Sequence, residues 1–312
     1  MRPAFSVVFL TTLIGVGQGL FVALYAVDVA VRAGAAAAPA SAFFVHGAVL
    51  AAAFTALGLV ASFFHLGRPE RAWRTAAMWR TSWLSREVIA LPSFLAAVVA
   101  WGVAWHANAA WVPALGALAL AACIALFACT GMVYAGIRFL QEWASPLTLA
   151  NFALQGCASG TTLATAYAAW AAPSLVAPLA MAALVLTLLA WAVRGASLVR
   201  NARLAPRSTL QTAIGVAHPR IRQTAQGFIG DSFNTREFFH RALPSTMRAV
   251  KWGFLAAAFA LPILLVAAGL AGASAGAFAA AFAVQYAGLI AERWYFLAQA
   301  NHPQNLYYQA MS

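Results

Sequence analysis

Charge is scarce in this sequence. Aspartate and glutamate number 7 in 312 residues, and charged residues of both signs make up 8% against 63% hydrophobic ones. A soluble domain of this size cannot solvate so much apolar surface with so few charges, so a water-soluble globular fold is excluded. Cysteine is almost as sparse: Cys123, Cys129 and Cys157 all fall in apolar runs, and none forms a CxxC or another metal-ligand spacing. An iron–sulfur cluster or zinc site within the chain is therefore not expected, and the thiols read as buried structural groups. The formal net charge of +12 is not accompanied by any nucleic-acid motif, so a nucleic-acid partner is not expected either.

What the chain does have is long apolar runs. Eight of them, over residues 5–31, 41–64, 88–105, 112–139, 147–171, 175–192, 250–271 and 277–297, reach the length of about 20 residues that a helix needs to cross a bilayer. The expected fold class is an all-α integral membrane protein, a single polytopic domain over 1–312 with eight transmembrane helices in two four-helix bundles. The first run follows Arg2 and precedes small residues, as in a signal peptide, but it is too long for an h-region and reads as a retained helix. Gly15 and Gly19 within it form a GxxxG, which suggests helix packing because no strand precedes it to make a nucleotide loop.

Eight spans would put both termini on one side. Arg2, the arginines of 68–86, Arg138, the basic residues of 194–251 and Arg293 then fall on that side, while Arg32 alone lies near the other. The short opposite connections, around 107–111, 171–174 and 271–276, carry no charge. By the positive-inside rule both termini are cytoplasmic, as are a basic connection over 65–87 and a long one over 194–251, in a multi-pass protein of the bacterial cytoplasmic membrane.

The first of these connections gathers unusual charge. In "FFHLGRPERAWRTAAMWRTSWLSREV", Arg68, Arg71 and Arg74 recur every third residue with tryptophans interleaved, which suits a short amphipathic segment lying in the membrane interface. Lipid anchoring by snorkelling arginines would explain that much. It does not explain Glu87, an acid inside the edge of a span, which needs a partner or a function. His65 closes the preceding helix at the same level. A histidine and a carboxylate together are what a molecule exchanging protons at neutral pH requires. A quinone is such a molecule: its two carbonyls need donors, its ring needs aromatic walls and its tail needs an opening to lipid. His65, Arg71, Trp83 and Glu87 supply these types at one level, and Arg86 adjoins them. A haem between His46 and His106 is conceivable, since both lie near the uncharged face, but Trp101, Trp105 and Trp111 at that level fit an interfacial belt, and no haem is expected.

That connection, the opening "RPAFSVVFLTTLIGVGQGL" and the closing "ERWYFLAQANHPQNLYYQ" are similar to the membrane anchor subunits of the dimethyl sulfoxide reductase family. The resemblance covers essentially the whole chain. It implies eight helices, a quinone site (ubiquinone or menaquinone) without haem, and docking onto an iron–sulfur electron-transfer subunit that leads to a molybdopterin catalytic subunit. Those clusters and the molybdopterin would lie only in the partner subunits. The family's histidine and acidic residue of quinol chemistry correspond to His65 and Glu87. Within the family, the quinone-linked sulfite dehydrogenases keep their partner subunits in the cytoplasm, and the charge distribution favours that branch. The expected function is to pass electrons from sulfite oxidation to the quinone pool, with no catalytic molybdenum site in this chain. The alternatives are the anchor of a terminal reductase oxidising menaquinol and, more distantly, a transporter. A transporter is disfavoured because the mid-span polar residues Gln18 and Gln155 do not titrate. Expected docking residues are Arg68, Arg74, Arg80, Arg220, Arg222, Phe228, Phe233, Phe238 and Phe239, because a merely solvated loop would not need the phenylalanines. Asp28 has no role in this reading.

Overall fold

The computed structural model describes residues 1–225, 233–272 and 274–308, which are all-helical with no strand among them. Phe228 lies outside the described residues. The long helices are α1 (Phe5–Arg32), α2 (Ser41–Phe63), α3 (Trp83–His106), α4 (Val112–Ala135), α5 (Pro146–Ala171) and α6 (Val176–Ala202). After two five-residue helices, α7 (Leu210–Ile214) and α8 (Phe233–Glu237), come α9 (Pro244–Leu255), a π-helical turn at Ala256–Ala260, α10 (Leu261–Gly272) and α11 (Ala275–Ala298).

Seven helical stretches among the described residues are long and apolar enough to cross a membrane, so this is a multi-pass membrane protein. The exception among the long helices is α5, which has 26 residues but buries Thr148, Asn151, Gln155, Ser159, Thr161, Thr162 and Thr165. Its polarity follows from its position. α5 packs against α1, α4, α6 and α11, so its side chains meet protein rather than lipid. Three of its hydroxyls satisfy themselves on carbonyls one turn back, Ser159 on Gln155, Thr162 on Ala158 and Thr165 on Thr161.

α1 reaches α5 through glycine. A Cβ on Gly19 would fall on the backbone of Gly156, and one on Gly160 would fall on Gly19 and Leu20, so the two backbones touch where Gly15 and Gly19 meet Gly156 and Gly160. The packing reading of the GxxxG holds. Asp28 also finds its explanation here: it is buried one turn before Arg32 and receives that guanidinium at 2.7 Å, with Arg32 lying over the Trp105 ring.

Two boundaries move relative to the sequence expectation. α3 begins at Trp83, five residues earlier than the apolar run, because Ser82 caps it by accepting the Ser85 amide. Glu87 therefore lies inside the helix. α6 runs on to Ala202, so the connection expected over 194–251 is instead 203–243, with α9 already begun at Pro244. Arg194 and Arg293 consequently leave the set of loop charges. Both are buried in helices and paired with Glu292, so they carry no information about which side is which.

Candidate functional site

The chemistry of the 65–87 segment depends on how α3 starts. After α2 the chain forms a 3-10 helix, Pro69–Met78, without a single buried residue, and then turns at Ser82 into α3. Arg86, in the first turn, reaches back to close that turn: its Nε donates to the Trp79 carbonyl and its Nη2 to the Arg80 carbonyl, both at 2.8 Å. Its guanidinium lies 4.2 Å over the Trp83 ring. Arg86 is thus a clamp on the connection, held by two charge-assisted bonds.

With Arg86 turned away, Glu87 points into the bundle. It is 9% exposed, and the Thr130 hydroxyl of α4 donates to its Oε1 at 2.6 Å. Among the described residues that is its one side-chain hydrogen bond, and no cation is within ion-pair distance. Trp83, one turn before Glu87, has its indole edge close to Gly136 at the end of α4. A buried carboxylate with a single hydroxyl partner and an aromatic neighbour, near the end of a span, is equipped to take up and release a proton at a nonaqueous reactant.

Thr130 is the residue that sequence reading missed at this site. Thr130→Val removes the hydrogen bond to Glu87 while keeping the side-chain shape, and is expected to lower quinone-linked turnover about tenfold or more, with Thr130→Ser near wild type. Steady-state assays of the intact complex with a short-chain quinone check this.

The other expected site residues stay on the connection. His65 follows the end of α2 on the exposed surface, and partial desolvation holds its imidazole below the ordinary histidine range, so it is neutral at pH 7. Arg71 is exposed, with its nearest carboxylate Glu70 at 3.8 Å. Among the described residues, neither has a hydrogen bond or ion pair with Glu87. Beside His65, an apolar groove of 370 Å³ opens between α1 and α2, lined by Phe9, Leu13, Leu57, Val60, Ala61 and Phe64.

Of the expected docking residues, Arg68, Arg74, Arg80, Arg220 and Arg222 are exposed, with Arg74 and Arg80 resting on Trp73 and Trp79. Phe233 is exposed as well. Phe238 and Phe239 are taken up within the chain: Phe238 stacks on His302 at 3.8 Å, and Phe239 is buried with its ring edge-on to Tyr308. The described parts of the tail and of the 203–243 connection so form one platform, tied by Tyr307 donating to the Ala213 carbonyl and Asn234 bonding Gln304. A cleft of 510 Å³ opens in it, lined among others by Gln141, Glu142, Arg207, Asn301 and His302.

A second polar centre, in the other half of the chain, had no sequence signal beyond the charges themselves. Arg194 of α6 (1% exposed) meets Glu292 of α11 (0% exposed) at 2.7 Å, and Arg293 (4% exposed) lies 3.6 Å from the same carboxylate. Arg293 donates to Gln155 at 3.0 Å, and Asn151 donates to Ser197 at 2.7 Å. Seven residues earlier on both helices, Gln285 donates to Thr187. α6 and α11 run in the same direction, so these are two polar rungs about 10.5 Å apart. Another two turns on, Ala180 and Phe278 join Ala166, Val266 and Ala281 in an apolar cluster that ends the seam.

Comparison with known proteins agrees with this architecture. Residues 1–218 match the model of the DMSO reductase anchor subunit (DmsC) family. The chain is also 50% identical, over the full length of both proteins, to a sulfite dehydrogenase subunit of Allochromatium vinosum.

Proposed function

The chain belongs to the DMSO reductase anchor subunit (DmsC) family, and from that premise we propose that it passes electrons from a sulfite-oxidising complex to a quinone at Glu87. The observation that carries this reading is the buried carboxylate with Thr130 as its hydrogen-bond partner at the end of a span. Sulfite as the partner's substrate is favoured by the full-length identity to a sulfite dehydrogenase subunit. The reading includes eight spans in a bacterial cytoplasmic membrane, with α5 as the eighth, and both termini in the cytoplasm.

The residues suit a quinone. Glu87 exchanges a proton at the ring oxygen, Trp83 walls the ring, and the groove beside Phe64 offers an apolar path for the tail. His65, neutral at pH 7 and open to water, receives protons from the cytoplasm and relays them. An iron–sulfur subunit, wired to a molybdopterin subunit, docks on the platform of connection and tail, where Arg207, Phe233 and the exposed arginines of the first connection face outward. Direct electron entry to Glu87's neighbourhood needs that subunit on the same side as the 65–87 connection. Because proton release by sulfite oxidation and proton uptake by quinone would share one side, turnover is electroneutral.

The side is tested by Ala76→Cys in a variant lacking Cys123, Cys129 and Cys157. An impermeant thiol reagent is expected to label it only in opened cells. Labelling in intact cells would place the site outward and make an outward-facing reductase anchor the better answer.

A further inference from the structure

Among the described residues, five of the acidic and basic types are buried: Asp28, Glu87, Arg194, Glu292 and Arg293. Asp28 is balanced locally by Arg32. The remaining four lie toward the end of the helices nearest the termini, and they do not balance locally. Two arginines share one glutamate, leaving a surplus positive charge, and Arg194 Nη2 and Arg293 Nη1 have no hydrogen-bond partner among the described residues. Glu87 has a hydroxyl partner and no cation among them. Counted together, the four groups sum to zero only when Glu87 is ionised.

A row of aromatic side chains runs from the cluster toward the helix turn that bonds Glu87. Arg293 lies 3.8 Å over the face of Phe152, and Phe152 is stacked with Tyr134 at 5.3 Å. Tyr134 is on α4, one turn beyond Thr130, whose hydroxyl bonds Glu87. This wall is a weak screen, because Tyr134, Phe152, Trp143 and Phe296 pack as one buried aromatic cluster, a low-dielectric region.

The groups facing Glu87 from elsewhere offer no substitute. On α4 they are Thr130, which bonds it, and beside Thr130 on the same helix Cys129 and Tyr134, none of them cationic. On α3 itself Arg86 is half-exposed and bound to two carbonyls. On the 3-10 connection and its flank Glu70, Arg71, Arg74 and Arg80 are exposed, where solvent screens them, and beyond the end of α2 His65 is uncharged at pH 7.

We propose that the surplus positive charge of the Arg194–Glu292–Arg293 cluster is the counter-charge of Glu87, acting across the Phe152 and Tyr134 wall to favour its ionised form. Arg194 and Arg293 are then positioning residues for proton exchange, although neither touches the site. The proposal deepens the reading of Glu87 as the proton-exchanging group and rests on it for its functional meaning.

The test is an infrared titration of the protonated-carboxyl band in the intact complex, assigned to Glu87 by its loss in Glu87→Gln. Arg293→Gln and Arg194→Gln are expected to raise the pH at which Glu87 ionises by about one unit, Arg293→Lys to leave it in place, and Glu292→Gln to lower it. A merely structural cluster would not shift the titration in opposite directions with the sign of the charge removed. Unchanged titration in both arginine variants, or an upward shift in Glu292→Gln, overturns the proposal. If Glu292→Gln does not assemble, the contrast between Arg293→Gln and Arg293→Lys decides. Should Glu87→Gln retain full quinone turnover, the functional reading falls, while the titration still judges the charge coupling.

Discussion

Glu87→Gln is expected to lower quinone-linked turnover of the complex by about 100-fold or more, the scale of losing one general acid–base group. The amide keeps the shape of the side chain and can still accept the Thr130 hydrogen bond on its oxygen, so packing is conserved. What it loses is the ability to titrate. Reduction of a water-soluble acceptor by the partner subunits should remain unaffected, since those electrons never reach the membrane. Loss of both activities would show that Glu87 serves assembly, and retention of both would show that it is only a buried acid. Measurement of the two activities on the same purified complex separates these outcomes.

The largest effect on stability is expected at the α6–α11 contact. Removing one partner of a buried ion pair leaves an uncompensated charge in a low-dielectric interior, at a cost of about 3–5 kcal/mol. The cluster predicts an order as well as a magnitude. Arg194→Met leaves Glu292 with Arg293 at 3.6 Å and is the milder change. Glu292→Leu leaves two buried guanidiniums with no anion between them, and is expected to unfold at clearly lower temperature or to vanish from the membrane. Thermal unfolding of detergent-solubilised complex ranks the two. Equal stability of both variants would contradict the charge assignment on which the ordering depends.

Helix placement was largely legible, because the apolar runs and the charge-free short connections both follow from the cost of exposing polar groups to lipid. Glu87 was legible for the same reason, as an acid where acids are expensive. Its partner had no such signal. Thr130 lies 43 residues away in an ordinary-looking helix, and a threonine in a span usually bonds its own backbone, as Thr55 does with Ala51. Arg194 and Arg293 were misread as cytoplasmic charges because each sits near the end of an apolar run. Extension of α6 to Ala202, and the match of Arg194 with Glu292 on a helix nearly a hundred residues later, are tertiary facts with no local signature. Asp28 and Arg32, four residues apart, could have been paired from sequence.

The polarity of α5 bears on how the protein enters its membrane. A segment with Asn151, Gln155 and five buried hydroxyls is less suited to enter lipid alone than the seven apolar stretches. Its successor α6 is strongly apolar and follows after only the short turn Pro173–Leu175, so the two are suited to partition into lipid together as a hairpin. The seam with α1 supplies the second half of the route. α1 is synthesised first and presents Gly15 and Gly19 as a docking groove, into which Gly156 and Gly160 fit by backbone contact. Insertion of α5 is therefore expected to depend on α1 already being in the bilayer, since the glycine seam is the most intimate contact that α5 makes there.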